Sequence, residues 1–173
     1  MNLNESVKAI DAATLAVIEA RLGRRARGLR AVAVTDEDGE PSVIRVASVV
    51  DGKPFPTLFW LIDPKLNLRI DREEATGRIA TFQSEIDGNE ALQSSMEDDH
   101  QRHILLRETY LQHAERELLE SRGQWSALAD RGIGGIADFT RIRCLHTWYA
   151  AHLVQANTVG RLLDRHWAES EAA

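Results

Sequence analysis

Apolar residues recur at helical spacing near the start of the chain. Val7, Ile10, Ala13, Leu15, Val17, Ile18 and Leu22 predict an amphipathic helix over 6–22, and Gly23 and Gly28 punctuate its end. The rhythm then changes. RAVAV, the polar turn TDEDGEP and SVIRVASVV read together as a β-hairpin. A second turn, DGKPFP, leads into TLFWLI, whose consecutive apolar positions predict a strand covered on both faces. These three strands are the whole β signal.

Helical punctuation resumes at Asp63-Pro64, an N-cap followed by proline in the first turn. That helix is expected to run to about Thr76 and stop at Gly77. A short helix over Arg78 to Ile86 follows, ended by DGN, and Asn89 caps a long helix expected from Glu90 to about Ser121. GQWSALADRGIGGIADF is glycine-rich and reads as partly irregular. Two last helices are expected over 144–156 and 158–169. The fold class is α+β: a small three-stranded antiparallel sheet packed by about five to six helices, in a single domain over 1–173. In such an up-down-up meander Asp36 and Asp63 fall at the same end of the sheet, about 10 Å apart across the middle strand.

Composition narrows the function classes. The chain is 43% hydrophobic and 28% charged, which is that of a folded protein. MNLNESVKAI has neither a basic flank nor an apolar core, and no apolar run approaches the roughly 20 residues of a membrane span. A cytoplasmic address without membrane contact is the expectation. A formal charge of −6 argues against indiscriminate nucleic-acid binding. RLGRRARGLR, residues 21–30, runs against that balance with five arginines and no acid. Arg24 and Arg27 there could serve an anion, or simply gather where a helix ends.

Cys144 is the sole cysteine, so an internal disulfide is excluded. At a helix start it would tend toward thiolate, helped by Arg141 and Arg143, yet lone cysteines are commonly buried filler. If both sit within one helix, Cys144 and His146 lie about 200° apart and point to opposite sides. The pair becomes feasible only if the helix starts after His146. His100, His103 and Arg107 share a face of the long helix, next to Glu97, Asp98 and Asp99, and by spacing alone that face is expected to be solvated. TDEDGE suggests a calcium loop, but its twelfth position is Ala47, so a polar hairpin turn fits better. No phosphate-cradling glycine loop, nucleophile elbow or His-Glu-x-x-His is present.

A set of segments in fixed order then carries a resemblance: LGRRARG, GEP at 39–41, DGKPFPTLFWL, Pro64 with Leu66, HQRH at 100–103 with Arg107, GG at 134–135, RIRCLH, AHL, and NTVG at 157–160. The chain resembles DUF family 501, an uncharacterised bacterial family common in actinobacteria. The resemblance implies a metal site: family members carry cysteine at the position of Asp36 and cysteine or histidine at that of Asp63, and Cys144 and His146 match the family's CLH. In this chain two carboxylates, one thiolate and one imidazole could hold zinc or another divalent metal, such as manganese or iron. The resemblance also marks His100, Arg107, His146 and His152, and implies a setting in cell division or phosphate metabolism.

Two readings follow. In the leading one the protein is a non-catalytic module that binds an anionic small molecule or a protein partner through Arg24, Arg27, His100, Arg107, His146 and His152. In the alternative it is a thiol- or metal-dependent, hydrolase-like enzyme with Cys144 and the histidines at its site. A homo-oligomer built on Trp148, Trp167 and the final helices is compatible with either.

Overall fold

The computed structural model describes residues 10–173, so the part of the first predicted helix before Ile10 lies outside the described residues. Helix α1 (Ala12–Leu22) starts where the Asp11 side chain accepts from the Thr14 amide, and ends at Gly23 in the left-handed region. Strands β1 (Leu29–Thr35) and β2 (Pro41–Val46) pair antiparallel around an Asp36 turn. The Asp36 carboxylate accepts from the amides of Asp38 and Glu40, and Gly39 supplies the positive φ that closes the loop. TDEDGE is thus a side-chain-locked hairpin turn.

The predicted strand over 42–50 does not continue. After Val46 the chain changes partners, with the Ala47 amide donating to Gly28 and the Ser48 carbonyl accepting from Phe55. Two short strands, β3 (Val49–Val50) and β4 (Lys53–Pro54), then form a separate ribbon. It turns on Asp51 and Gly52, both at positive φ, the Asp-Gly pairing that tight hairpins favour. Strand β5 (Phe59–Leu61) returns beside β2, giving the order β1-β2-β5 with both pairings antiparallel.

Alternation along these strands decides where the layers go. Val43, Phe59 and Leu61 face the main core, whereas Ile44, Trp60 and Ile62 face a second cluster with Ile18 of α1. The sheet is therefore covered on both faces, as TLFWLI requires.

The main core is roofed by helices. Helix α2 (Pro64–Ala75) is capped by Asp63, whose carboxylate accepts from Lys65 and Leu66, and α3 (Arg78–Asp87) begins after Gly77. Helix α4 (Glu90–Tyr110) is capped by Asn89 but ends eleven residues before the expected Ser121. Leu111 turns extended, and a capping box between Gln112 and Glu115 starts α5 (His113–Ser121). No glycine or proline marks that break; a reciprocal pair of hydrogen bonds makes it. A single turn, α6 (Ser126–Ala129), precedes an irregular stretch around the tight turn Ile133–Gly135. Helix α7 (Leu145–Val154) lies in the middle of the core, and α8 (Thr158–Ala172) packs beside it. The added break and the single turn bring the described residues to eight helices, against the five to six expected. None is long and apolar enough to cross a membrane. Trp148 and Trp167, offered above as interface residues, are both buried within the chain.

The junction between α7 and α8 explains AHL and NTVG. The Asn157 amide donates to His152 Nδ1 (3.0 Å), which leaves Nε2–H to donate to Asp164 (2.8 Å). Tyr149 donates to the same carboxylate, and the Asn157 side chain caps α8 through the Gly160 amide. A Cβ at residue 160 would stand 2.0 Å from the His152 ring, so glycine is required for that ring to lie there. Gly160→Ala is expected to lose about 1–3 kcal/mol in chemical denaturation. Removing the ring as well, by His152→Ala, should make the double variant less unstable than the sum of the two single losses.

Candidate metal centre

The face of α4 that carries His100, His103 and Arg107 is buried, not solvated: their exposures are 0%, 5% and 2%. The irregular segment after α6 lies over it and needs donors for its carbonyls. Arg107 provides them, donating to Pro56 (2.8 Å) and to the carbonyls of Leu128 and Arg131. His100 Nδ1 accepts from the Ile133 amide (2.9 Å), while its ring stacks on Phe139 and meets the edge of Trp148. Gly132 lets the loop approach, since a Cβ there would be 2.0 Å from His100 Nδ1. Asp99, on the same helix, accepts from the Thr158 amide and pairs with Arg102.

Burial governs the protonation of this face. It pushes His100 down to about 4 and, joined by Arg107 and His100, pushes His103 down to about 3; it also lowers Arg107 to about 10. Arg107 and His100 bind one part of the chain to another, whereas His103 meets the Phe59 ring edge-on and its Nε2 is buried without a hydrogen-bond partner among the described residues. Like Arg107, other residues proposed from sequence pair within the chain. Arg24 lies over the Trp60 ring at 4.4 Å, and Arg27 forms an open, exposed pair with Asp51. Asp36 locks its turn and faces Arg21 (3.5 Å); Asp63 caps α2 and accepts from Ser42 (3.3 Å).

Cys144 and His146 do meet. Cys144 is the N-cap of α7, with extended backbone, so the helical angle between the two positions does not apply. Its sulfur lies 3.6 Å from His146 Nδ1. Glu74, near the end of α2, completes the cluster with Oε1 3.4 Å from that nitrogen, and the three ligand atoms all lie within 4.8 Å of one another. Glu74 also accepts from the Leu145 amide (2.6 Å), capping the helix whose own N-cap side chain makes no such bond. On the far side of the ring, His146 Nε2 faces Asp71 (3.2 Å) and the Asn67 carbonyl (3.4 Å).

Asn67, Asp71 and Glu74 follow one face of α2, so one helix supplies three partners to the start of another. The hydrogen bond to Cys144 raises His146 to about 9; burial opposes this, while Cys144, Glu74 and the Asn67 carbonyl assist it. Among the described residues this is the group of three close metal-ligand side chains, and Asp36 and Asp63 are not in it. Sequence reasoning missed Asp71 and Glu74. Their i,i+3 spacing on a helix of mixed charge was visible, but nothing local ties α2 to a motif some 70 residues on.

These features define the class: an α+β protein whose sheet is covered on both faces, with a Cys–His–Glu cluster where two helices meet. The DUF501 model, described as "Protein of unknown function (DUF501)", matches residues 32–165, and the chain belongs to that family. The match takes in Asp36, Asp63, Cys144 and His146 and leaves out Arg24 and Arg27. No curated protein and no solved structure matches the chain.

Arg107→Met should cost about 3 kcal/mol in urea unfolding, because one buried and two part-buried carbonyls lose a charged donor. The two buried histidines make stability pH-dependent. Above 6.5 neither state holds their protons; below it the unfolded chain takes them up and the folded one refuses until about 4 and about 3. Stability should therefore fall from pH 6.5 to 5 by up to about 2.7 kcal/mol per pH unit, and His103→Gln should roughly halve that slope. His146, raised instead, loses its contribution only as pH rises from 6.5 through about 9, outside that window.

Proposed function

We propose that the protein binds a divalent transition metal of the zinc class through Cys144, His146 and Glu74. One observation carries the reading: the sulfur–nitrogen and nitrogen–oxygen separations are 3.6 and 3.4 Å. A tetrahedral zinc ion with ordinary bonds to sulfur, nitrogen and oxygen has edges of about 3.5 and 3.3 Å between those donors. Two edges of the donor triangle thus match those of such an ion, and the third lies within 4.8 Å. A thiolate and an imidazole select against magnesium and calcium, which take oxygen.

Asp71 supports the same reading from behind. A carboxylate on the far nitrogen of a ligating histidine fixes the ring and strengthens its basicity. Three protein donors leave a fourth position for water or a ligand, and the half-exposed His146 and Glu74 give it access to solvent. The reading replaces Asp36 and Asp63 in the expected ligand set by Glu74. It also reduces the case for an anion module built on Arg107, His100 and His152: Arg107 and His152 are engaged within the fold, and His100 accepts from the Ile133 amide, its Nε2 lying buried without a partner among the described residues.

Cobalt(II) titration of the metal-free protein tests this. The expected result is one equivalent bound, with tetrahedral d–d bands and a thiolate-to-cobalt charge-transfer band lost in Cys144→Ser. Glu74→Gln should weaken binding severely and Asp71→Asn by about 10–100-fold, while Asp36→Asn leaves it unchanged. Absence of the charge-transfer band in the unsubstituted chain would overturn the assignment.

A further inference from the structure

His103 is buried on the same face of α4 as Arg107, yet its Nε2 has no hydrogen-bond partner among the described residues. Such atoms are rare in folded proteins and call for an explanation. The ring meets the Phe59 ring edge-on, with centroids 5.9 Å apart. It also lines a recess between α4, the end of α7 and the turn at Ile133. Phe59, Ile133 and Ala151 form a buried wall of that recess, and Gln155 and Ala156 stand exposed at its rim.

Size bounds what can enter. With its open mouth the recess measures ≈ 230 Å³, below the roughly 300–1,000 Å³ of sites that take drug- or cofactor-sized molecules. Room for the centre of a water-sized group amounts to ≈ 10 Å³, enough for one small polar head. A nucleotide is too large. Charge bounds the ligand further. The Asp99 carboxylate accepts from Arg102 and from the Thr158 amide, and Arg102 also donates to the Ala156 carbonyl (3.4 Å). The Asn157 side chain is occupied by the Trp148 carbonyl and the Gly160 amide. Burial, joined by Arg107 and His100, lowers His103 to about 3 and so keeps its ring neutral. The two charges in the lining thus cancel, and Nε2 is the buried atom still free to bond. It donates or accepts according to the tautomer, and a hydroxyl can answer either.

We propose that this recess binds a small uncharged alcohol, its hydroxyl bonded to His103 Nε2 and its short alkyl part against Phe59 and Leu106. A carboxylate or ammonium head would give up its hydration to a wall that offers no free counter-charge. A purely apolar molecule would leave the ring nitrogen without a partner, so the hydroxyl decides recognition. The recess shares no residue with the Cys144 cluster, and all of its lining falls within the family match. His103 is not among the binding residues put forward from sequence.

The experiment is titration of the full chain with n-propanol, read by NMR at the histidine ring nitrogens. Propionate and propylammonium, of matching length, serve as the charged arms. His103 Nε2 should shift saturably with n-propanol while the exposed His113 does not, and the charged molecules should bind at least about tenfold more weakly. His103→Phe, which removes the nitrogen, should abolish saturation transfer from the protein to n-propanol. Ala156→Trp is placed at the exposed rim, where it closes the mouth without disturbing the core, and should abolish the His103 shift. A His103 nitrogen that does not respond saturably would overturn the proposal. So would a response that propionate matches, or one that survives Ala156→Trp. None of these readouts involves Cys144, Glu74 or His146, so the outcome is independent of the cobalt titration.

Discussion

One buried cation holds the irregular half of this molecule in shape. Arg107 reaches from the last turn of α4 to carbonyls on two separate segments, one before β5 and one spanning the end of α6. Only the Leu128 oxygen also accepts from a backbone amide, that of Arg131, and water does not reach a residue that is 2% exposed. A guanidinium is suited to the task because it carries five donors in a rigid plane and keeps its charge at depth. His100, two turns earlier, does the same for the Ile133 amide, so α4 acts as a rail to which the chain around residues 128–136 is fastened. The core helix α7 then starts from a fixed point, and with it Cys144 and His146.

The legible parts of the fold were those written locally. Asp63-Pro64 and Asn89 mark helix boundaries by side-chain chemistry within three or four residues, Gly77 by its backbone freedom, and each boundary stands in the structure. The break between α4 and α5 was hidden because glutamine and glutamate only cap when the backbone has already turned; in sequence they are good helix formers. The continuous strand over 42–50 failed for a related reason. Its valines and isoleucine favour extended backbone, but pairing changes hands at Ala47 and Ser48, and pairing is not written in propensity.

The site was legible by halves. CLH was visible as a motif, and its two side chains were judged incompatible on an ideal helix because the N-cap residue was counted as helical. The other half, Asp71 and Glu74, reads as an ordinary acidic stripe until α2 is laid against α7. HQRH illustrates the reverse error. Its spacing is that of a solvated face, and only a loop from far along the chain makes it the inner one. Charged residues at helical spacing say that a face exists; they do not say what covers it.

Glu74 joins two jobs that are usually kept apart. The oxygen that lies 3.4 Å from His146 Nδ1 also receives the first amide of α7. Anything that draws electron density from that oxygen loosens the opening turn of a helix whose other end is set against the sheet and α8. The proton on the Leu145 nitrogen is thus a built-in reporter, and its exchange rate with solvent would register the charge state of a cluster that no chromophore reveals.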